Sequence, residues 1–79
     1  MHVRVRLFGT LPQFYPGNYP SSGLEVEIWQ DISVAELVDL VQVPQEHVAI
    51  VSINGRIAKA NDAIPKNAEV KFFQSLSGG

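Results

Sequence analysis

The sequence predicts an α+β fold: a mixed sheet covered on one side by a single short helix. Three observations carry that reading. Val3, Val5 and Leu7, and again Leu24, Val26 and Ile28, recur at every second position, as in strands with one buried face. Ser33 and Glu36 stand at the spacing of a capping box and open a segment with helical apolar spacing. An apolar run over residues 48–53 and a second apolar stretch at 70–73 follow, too short for helices and bounded by turn residues.

The elements follow in chain order. In the first strand Arg4, Arg6 and Phe8 alternate with the buried set, and Gly9 closes it. Residues 10–23 (TLPQFYPGNYPSSG) are dense in Pro, Gly, Ser and Asn and read as a loop, long for a hairpin connection. Its aromatics Phe14, Tyr15 and Tyr19 are expected to pack on the edge of their own domain or on a partner. The second strand interleaves Glu25, Glu27 and Trp29 with Leu24, Val26 and Ile28, and its proximity to the first favours an antiparallel pair. Trp29 reads as a packing anchor.

Ile32 before the Ser33 cap is positioned to staple onto Leu37, and Asp31 and Glu36 lie near the positive end of the helix dipole. Leu37, Val38 and Val41 share one face, flanked by Val34 and Leu40, and Pro44 stops the helix because it disfavours helical geometry at Val43. The run at 48–53 reads as a central strand covered on both faces. Asn54-Gly55 marks a type I′ turn, which needs positive φ twice, and residues 56–58 return from it. Residues 60–68 are expected to be irregular, with Ile64 plugging the core. The last strand occupies 70–73. The domain therefore spans residues 1–73, and residues 74–79 form a flexible tail. A hairpin, a helix and further strands, with the last strand beside the first at the sheet centre, make the β-grasp arrangement, the fold of ubiquitin.

Composition narrows the function. Seventy-nine residues make one small domain, with a net charge of −2 that argues against phosphate-driven nucleic-acid binding. No apolar run approaches the ~20 residues that span a bilayer, and residues 1–6 (MHVRVR) lack a signal-peptide core. The expected setting is the cytoplasm, without nucleic-acid or membrane partners. The absence of cysteine removes disulfides, thiolate metal sites and cysteine nucleophiles. His2 and His47 are isolated, so no metal site is expected, and His47 reads as part of a solvated loop. Ser75 and Ser77 lack a base to activate them.

The ending Gly78-Gly79 is the most specific chemical signal. Two residues without Cβ atoms can pass through a narrow channel and present an α-carboxylate to another protein's active site. The competing reading is an incidental end or a cloning remnant. Phe8 and Phe73 either form an apolar patch near that tail or fold under the long loop to complete the core. Arg4 and Arg6 read as a solvated strand face or a docking site.

Taken in order, VRLFGTL, SVAELVDLV, VAIVSINGRIA and NAEVKFFQSLSGG resemble the first strand, helix, hairpin and final strand with tail of the ThiS/MoaD family of sulfur carriers. The resemblance covers essentially the whole chain. It departs in two places. Where the family usually has Gly-Asp-Glu-Val before the last strand, this chain has Asn67-Ala68-Glu69-Val70, and Asn67 can adopt the left-handed angle of the missing glycine. The tail carries Gln74, Ser75 and Leu76 where prolines are often found.

The resemblance implies a carrier rather than an enzyme. An E1-like adenylating enzyme would spend ATP to activate the Gly79 carboxylate, and a sulfur donor such as a cysteine desulfurase or rhodanese would leave a thiocarboxylate there. Gly78 would give the tail access, and Phe8, Phe73, Leu76, Arg4 and Arg6 would meet the partner. No cofactor would be bound by the chain itself. The destination implied first is the large subunit of molybdopterin synthase, in molybdenum or tungsten cofactor biosynthesis, favoured by the extended first loop and the FF-x-x-L-x-G-G ending. Thiazole synthase in thiamine biosynthesis is the alternative destination. Two further classes remain open: a ubiquitin-like modifier joined to lysines through Gly79, and a binding module whose glycines are incidental.

Overall fold

Alternation in the first and last strands decides the architecture, because it gives each a fully apolar face that has to be covered. A computed structural model describes residues 1–75. Five strands, β1 (His2–Leu7), β2 (Leu24–Glu27), β3 (Val48–Ile53), β4 (Arg56–Ala58) and β5 (Glu69–Gln74), form one mixed sheet in the order β2-β1-β5-β3-β4. β1 lies parallel to β5 at the centre, and the remaining pairs are antiparallel. Helix α1 (Val34–Val41) contributes Val34, Leu37, Val38 and Val41 to a core shared with Val3, Val5, Leu7, Val70 and Phe72. This is the β-grasp that the strand order implied.

Local chemistry sets the boundaries. The Ser33 Oγ accepts from the Glu36 N–H at 3.1 Å while the Ser33 N–H donates to Glu36 Oε1 at 2.9 Å, so the capping box is complete. Ile32 and Leu37, the two staple positions, are both fully buried in the core. α1 ends at Gln42, which takes φ 68° and donates to the Val38 and Asp39 carbonyls. Asn54 and Gly55 have φ 51° and 85°, as the type I′ turn requires. Asn67 takes φ 59°, so the substituted turn keeps its left-handed residue. At the other end of β1, the Met1 amino group donates to Glu27 Oε2 at 2.9 Å. That bond holds the Glu27 carboxyl below its usual range.

Several elements depart from the sequence expectation. Within the long loop, Leu11–Phe14 forms a 3-10 turn, and Leu11 is fully buried. Tyr15 and Tyr19 pack against the core from the domain's own edge, and the Leu7 N–H donates to the Tyr19 hydroxyl at 2.9 Å. His47 is not in a solvated loop: it is half-buried at the end of a second 3-10 turn and stacks on Phe14 with ring centroids 4.3 Å apart. Trp29 is 52% exposed and is no packing anchor; β2 ends at Glu27, so Trp29 has left the strand alternation. β3 is not covered on both faces: from Ile50 to Ile53 it keeps one register with β5, so alternation turns Ile50 outward beside Phe73 while Val51 is buried, and a register shift between Val48 and Ile50 leaves Ala49 exposed as well.

The last strand extends through Gln74 rather than stopping at Phe73, and Gln74 is tethered rather than free. Its Oε1 accepts from the Thr10 hydroxyl at 2.6 Å and from the Thr10 N–H. The tether needs Gly9, which has φ 65°, and a Cβ there would overlap the Gln74 carboxamide. Leu76, Ser77, Gly78 and Gly79 lie outside the described residues.

Two outcomes follow from these local devices. Ser33→Ala is expected to lower stability by about 1 kcal/mol in urea unfolding, the usual cost of losing a cap. Gly9→Ala should cost about 1–2 kcal/mol, since it forces a Cβ into left-handed backbone, and should release the Thr10–Gln74 tether. Loss of the downfield-bonded Thr10 amide signal by NMR checks the second effect.

Candidate functional site

The outer face of the sheet is the side that α1 does not cover, and the strand register arranges its residues in rows. Leu7 pairs with Phe72 in the parallel β1–β5 ladder, so Phe8 stands next to Phe73. The Phe8 N–H extends that ladder by donating to the Phe72 carbonyl at 3.0 Å. The two rings stack with centroids 5.0 Å apart and an interplanar angle of 14°. On the other side of β5, Ile50 pairs with Phe73. Phe8 is 38% exposed, Ile50 is 45% exposed, and Phe73 is half-buried between them. The choice between core and patch is therefore resolved: Phe8, Phe73 and Ile50 form an apolar row on the open face.

Ile50 was not legible as a site residue, because the apolar run at 48–53 carries no alternation to tell its inward from its outward positions; the register with β5 sets Ile50 outward beside Phe73. A second row runs parallel to the first. Arg6 pairs with Lys71, Lys71 with Ser52, and Ser52 with Ile57 on the edge strand. A third row holds Arg4 between Glu25 and Glu69. Arg4 is ion-paired with Glu25 and donates through Nη1 to the Ser22 carbonyl at 3.0 Å. Arg6 Nε sits 3.4 Å from Glu69 Oε2 and, although buried, makes no hydrogen bond. Both arginines are half-exposed on the face that carries the patch, but their charges are largely taken up by neighbouring carboxylates.

The apolar row lies at the pole of the sheet where β5 ends. Gln74 follows Phe73 directly and is fixed to the β1 turn through Thr10. Whatever occupies the Phe8–Phe73–Ile50 row therefore stands beside the start of the Gly-Gly tail. Of the sequence-predicted site residues, the structure brings Phe8 and Phe73 into contact and sets Arg4 and Arg6 in adjacent rows. Leu76, Gly78 and Gly79 fall outside the described residues.

Other candidates lack chemistry. Among the described residues there is no group of three or more His, Asp or Glu side chains able to hold a metal ion. No helix of the described residues is long and apolar enough to cross a membrane. A shallow depression of about 820 Å³ is lined by Met1, Ile28, Trp29, Ile64, Pro65 and Lys66 among others. It lies at the opposite pole of the β1–β5 pair, beside the residues that precede both strands.

Comparison with known proteins agrees with this fold. The chain is similar in structure to small archaeal modifier protein 1 of Haloferax volcanii in two crystal structures. One gives a TM-score of 0.73 at 19% identity, covering 95% of this chain and 98% of that one. The other gives 0.72 at 22% identity and covers all of both chains. It is also similar to a chain described as molybdopterin converting factor, subunit 1, from Pyrococcus furiosus, with a TM-score of 0.71, 17% identity and coverage of 95% and 98%. At these identities the likeness establishes the fold. No curated protein matches the chain in sequence. The family model described as the ThiS family matches residues 5–79, nearly the entire chain and through both terminal glycines. The neighbours share the β-grasp fold, and with the family model matched over nearly its whole length this chain belongs to the ThiS family.

Proposed function

We propose that the protein is a sulfur carrier whose Gly79 carboxylate is activated and converted to a thiocarboxylate for molybdopterin biosynthesis. The observation that carries this reading is the Phe8–Phe73–Ile50 row across β1, β5 and β3, centred on Phe73 of the strand that precedes the Gly78-Gly79 ending. An E1-like adenylating enzyme docks on that row. From Phe73 to Gly79 the chain spans up to about 20 Å when extended, enough to thread a nucleotide site while the domain stays docked. Binding energy comes from the sheet face, and the thin glycines supply access.

The chemistry needs no side chain of the carrier. The Gly79 carboxylate oxygen attacks the α-phosphorus of ATP, pyrophosphate leaves, and an acyl-adenylate forms. The terminal sulfur of a donor persulfide attacks the acyl carbon and AMP leaves. A second thiol cleaves the resulting acyl disulfide, leaving the thiocarboxylate on Gly79 and a disulfide on the donor. The sequence contains no cysteine to compete as acceptor. The sulfur donor is a persulfide enzyme of the cysteine desulfurase or rhodanese class, and the consumer is the large subunit of molybdopterin synthase. The Pyrococcus furiosus neighbour supports that destination. ATP belongs to the activating enzyme, and the carrier holds no cofactor of its own.

A second reading has its own support: the Haloferax volcanii neighbours are described as modifier proteins. In that reading the same acyl-adenylate is passed to a lysine amine and an isopeptide bond forms.

Incubation with ATP, the cognate adenylating enzyme and a sulfide source, followed by intact-mass analysis, tests the proposal. The expected product gains the mass of an oxygen-to-sulfur exchange confined to Gly79, and deletion of Gly79 removes the gain. Phe73→Ala is expected to raise the KM for adenylation by about tenfold or more, as loss of an aromatic anchor does, with little change in kcat. Adenylation followed only by lysine conjugates would favour the modifier reading, and no reaction with an active enzyme would contradict both.

A further inference from the structure

We propose that the partner covering the Phe8–Phe73–Ile50 row also lowers a carboxylate onto the Arg6–Lys71–Ser52 row, with Lys71 as the cation that selects it. The inference rests on the reading of the apolar row as a docking face. It concerns a different residue set and adds a chemical requirement on the partner: an acidic side chain next to the apolar one.

Charge distribution across the face carries the argument. Arg4 is paired with Glu25, and Arg6 lies 3.4 Å from Glu69. Among the described residues, Lys71 takes part in no ion pair or side-chain hydrogen bond. It is half-buried and stands in register between Arg6 and Ser52. Its charge is therefore the uncompensated one on this face, on a chain whose net charge is −2.

Surroundings raise the weight of that charge. Ser52 is the short residue in its row, between Lys71 and Ile57, and Ile57 is 79% exposed. Phe73 and Ile50 border the row on the tail side. A partner that covers these apolar residues excludes water from around Lys71. An opposite charge there then interacts in a lower dielectric than on an open surface, whereas a neutral or basic partner leaves the ammonium desolvated and unpaired. The arrangement discriminates between partners as well as attracting the correct one.

Affinity of the full chain for its cognate E1-like adenylating enzyme, measured at low and high salt, tests the inference. Lys71→Met keeps the aliphatic stem and removes the charge. It is expected to weaken binding about tenfold at low salt and to flatten the salt dependence. Lys71→Glu should weaken binding further, while Phe73→Ala should weaken it with the salt dependence intact. Thermal unfolding of each variant separates these effects from loss of fold. Lys71→Met binding as wild type, or with unchanged salt dependence, overturns the inference. If the wild-type chain is adenylated normally in that case, only the role of Lys71 is lost. A wild-type chain that is never adenylated overturns the docking reading and this inference together.

Discussion

The parallel pairing of β1 with β5 is the constraint on which the rest of the molecule depends. Parallel neighbours cannot be joined by a tight turn, so the chain between them has to leave the sheet centre and return. β2, α1, β3 and β4 are that excursion, and they supply both flanks of the sheet and the helical cover. Because the two central strands run in the same direction, they finish at the same pole. Phe8 directly follows the first strand, the last strand closes with Phe73 and Gln74, and the tail begins there. The side chains that make the patch are thus fixed by the same ladder that fixes where the tail leaves, and the Thr10–Gln74 tether holds the two together.

Much of this was legible in the residues. Strict alternation at Val3, Val5, Leu7 and at Val70, Phe72 can be satisfied only by strands with one buried face. The capping box, Asn54-Gly55 and Asn67 are local devices whose geometry is set by atoms within a few residues, and all of them formed. What failed depended on events distant in sequence. The register of β3 is decided by how it meets β5, and the apolar run at 48–53 has no polar alternation to show that Val51 faces the core and Ile50 faces outward. Leu11 is buried because the loop folds back over the end of the core, while its neighbours Pro12 and Gln13 give no periodic signal.

The fate of Phe8 and Phe73 illustrates the same limit. Alternation assigns both to the outer face, but whether that face is open depends on the path of the loop after β1. Beyond Val5 the β2 side of β1 has no strand partner, and the loop fills that gap: the Tyr19 hydroxyl takes the Leu7 N–H that a longer β2 would have bonded. The loop therefore runs along the edge of the sheet and leaves the aromatic row uncovered. In the proposed function, the apolar row would serve recognition, Lys71 selection and the glycine-ended tail the chemistry, with Phe73 and Lys71 both on β5.

The most direct test of the account is the β1–β5 register itself. Interstrand NOEs in solution should connect the Phe8 and Phe73 rings, with the Phe8 amide protected from exchange by the Phe72 carbonyl. A one-residue slip would exchange the two faces of the strand. NOEs pairing Phe8 with Phe72 or with Gln74 instead, together with an unprotected Phe8 amide, would contradict the account.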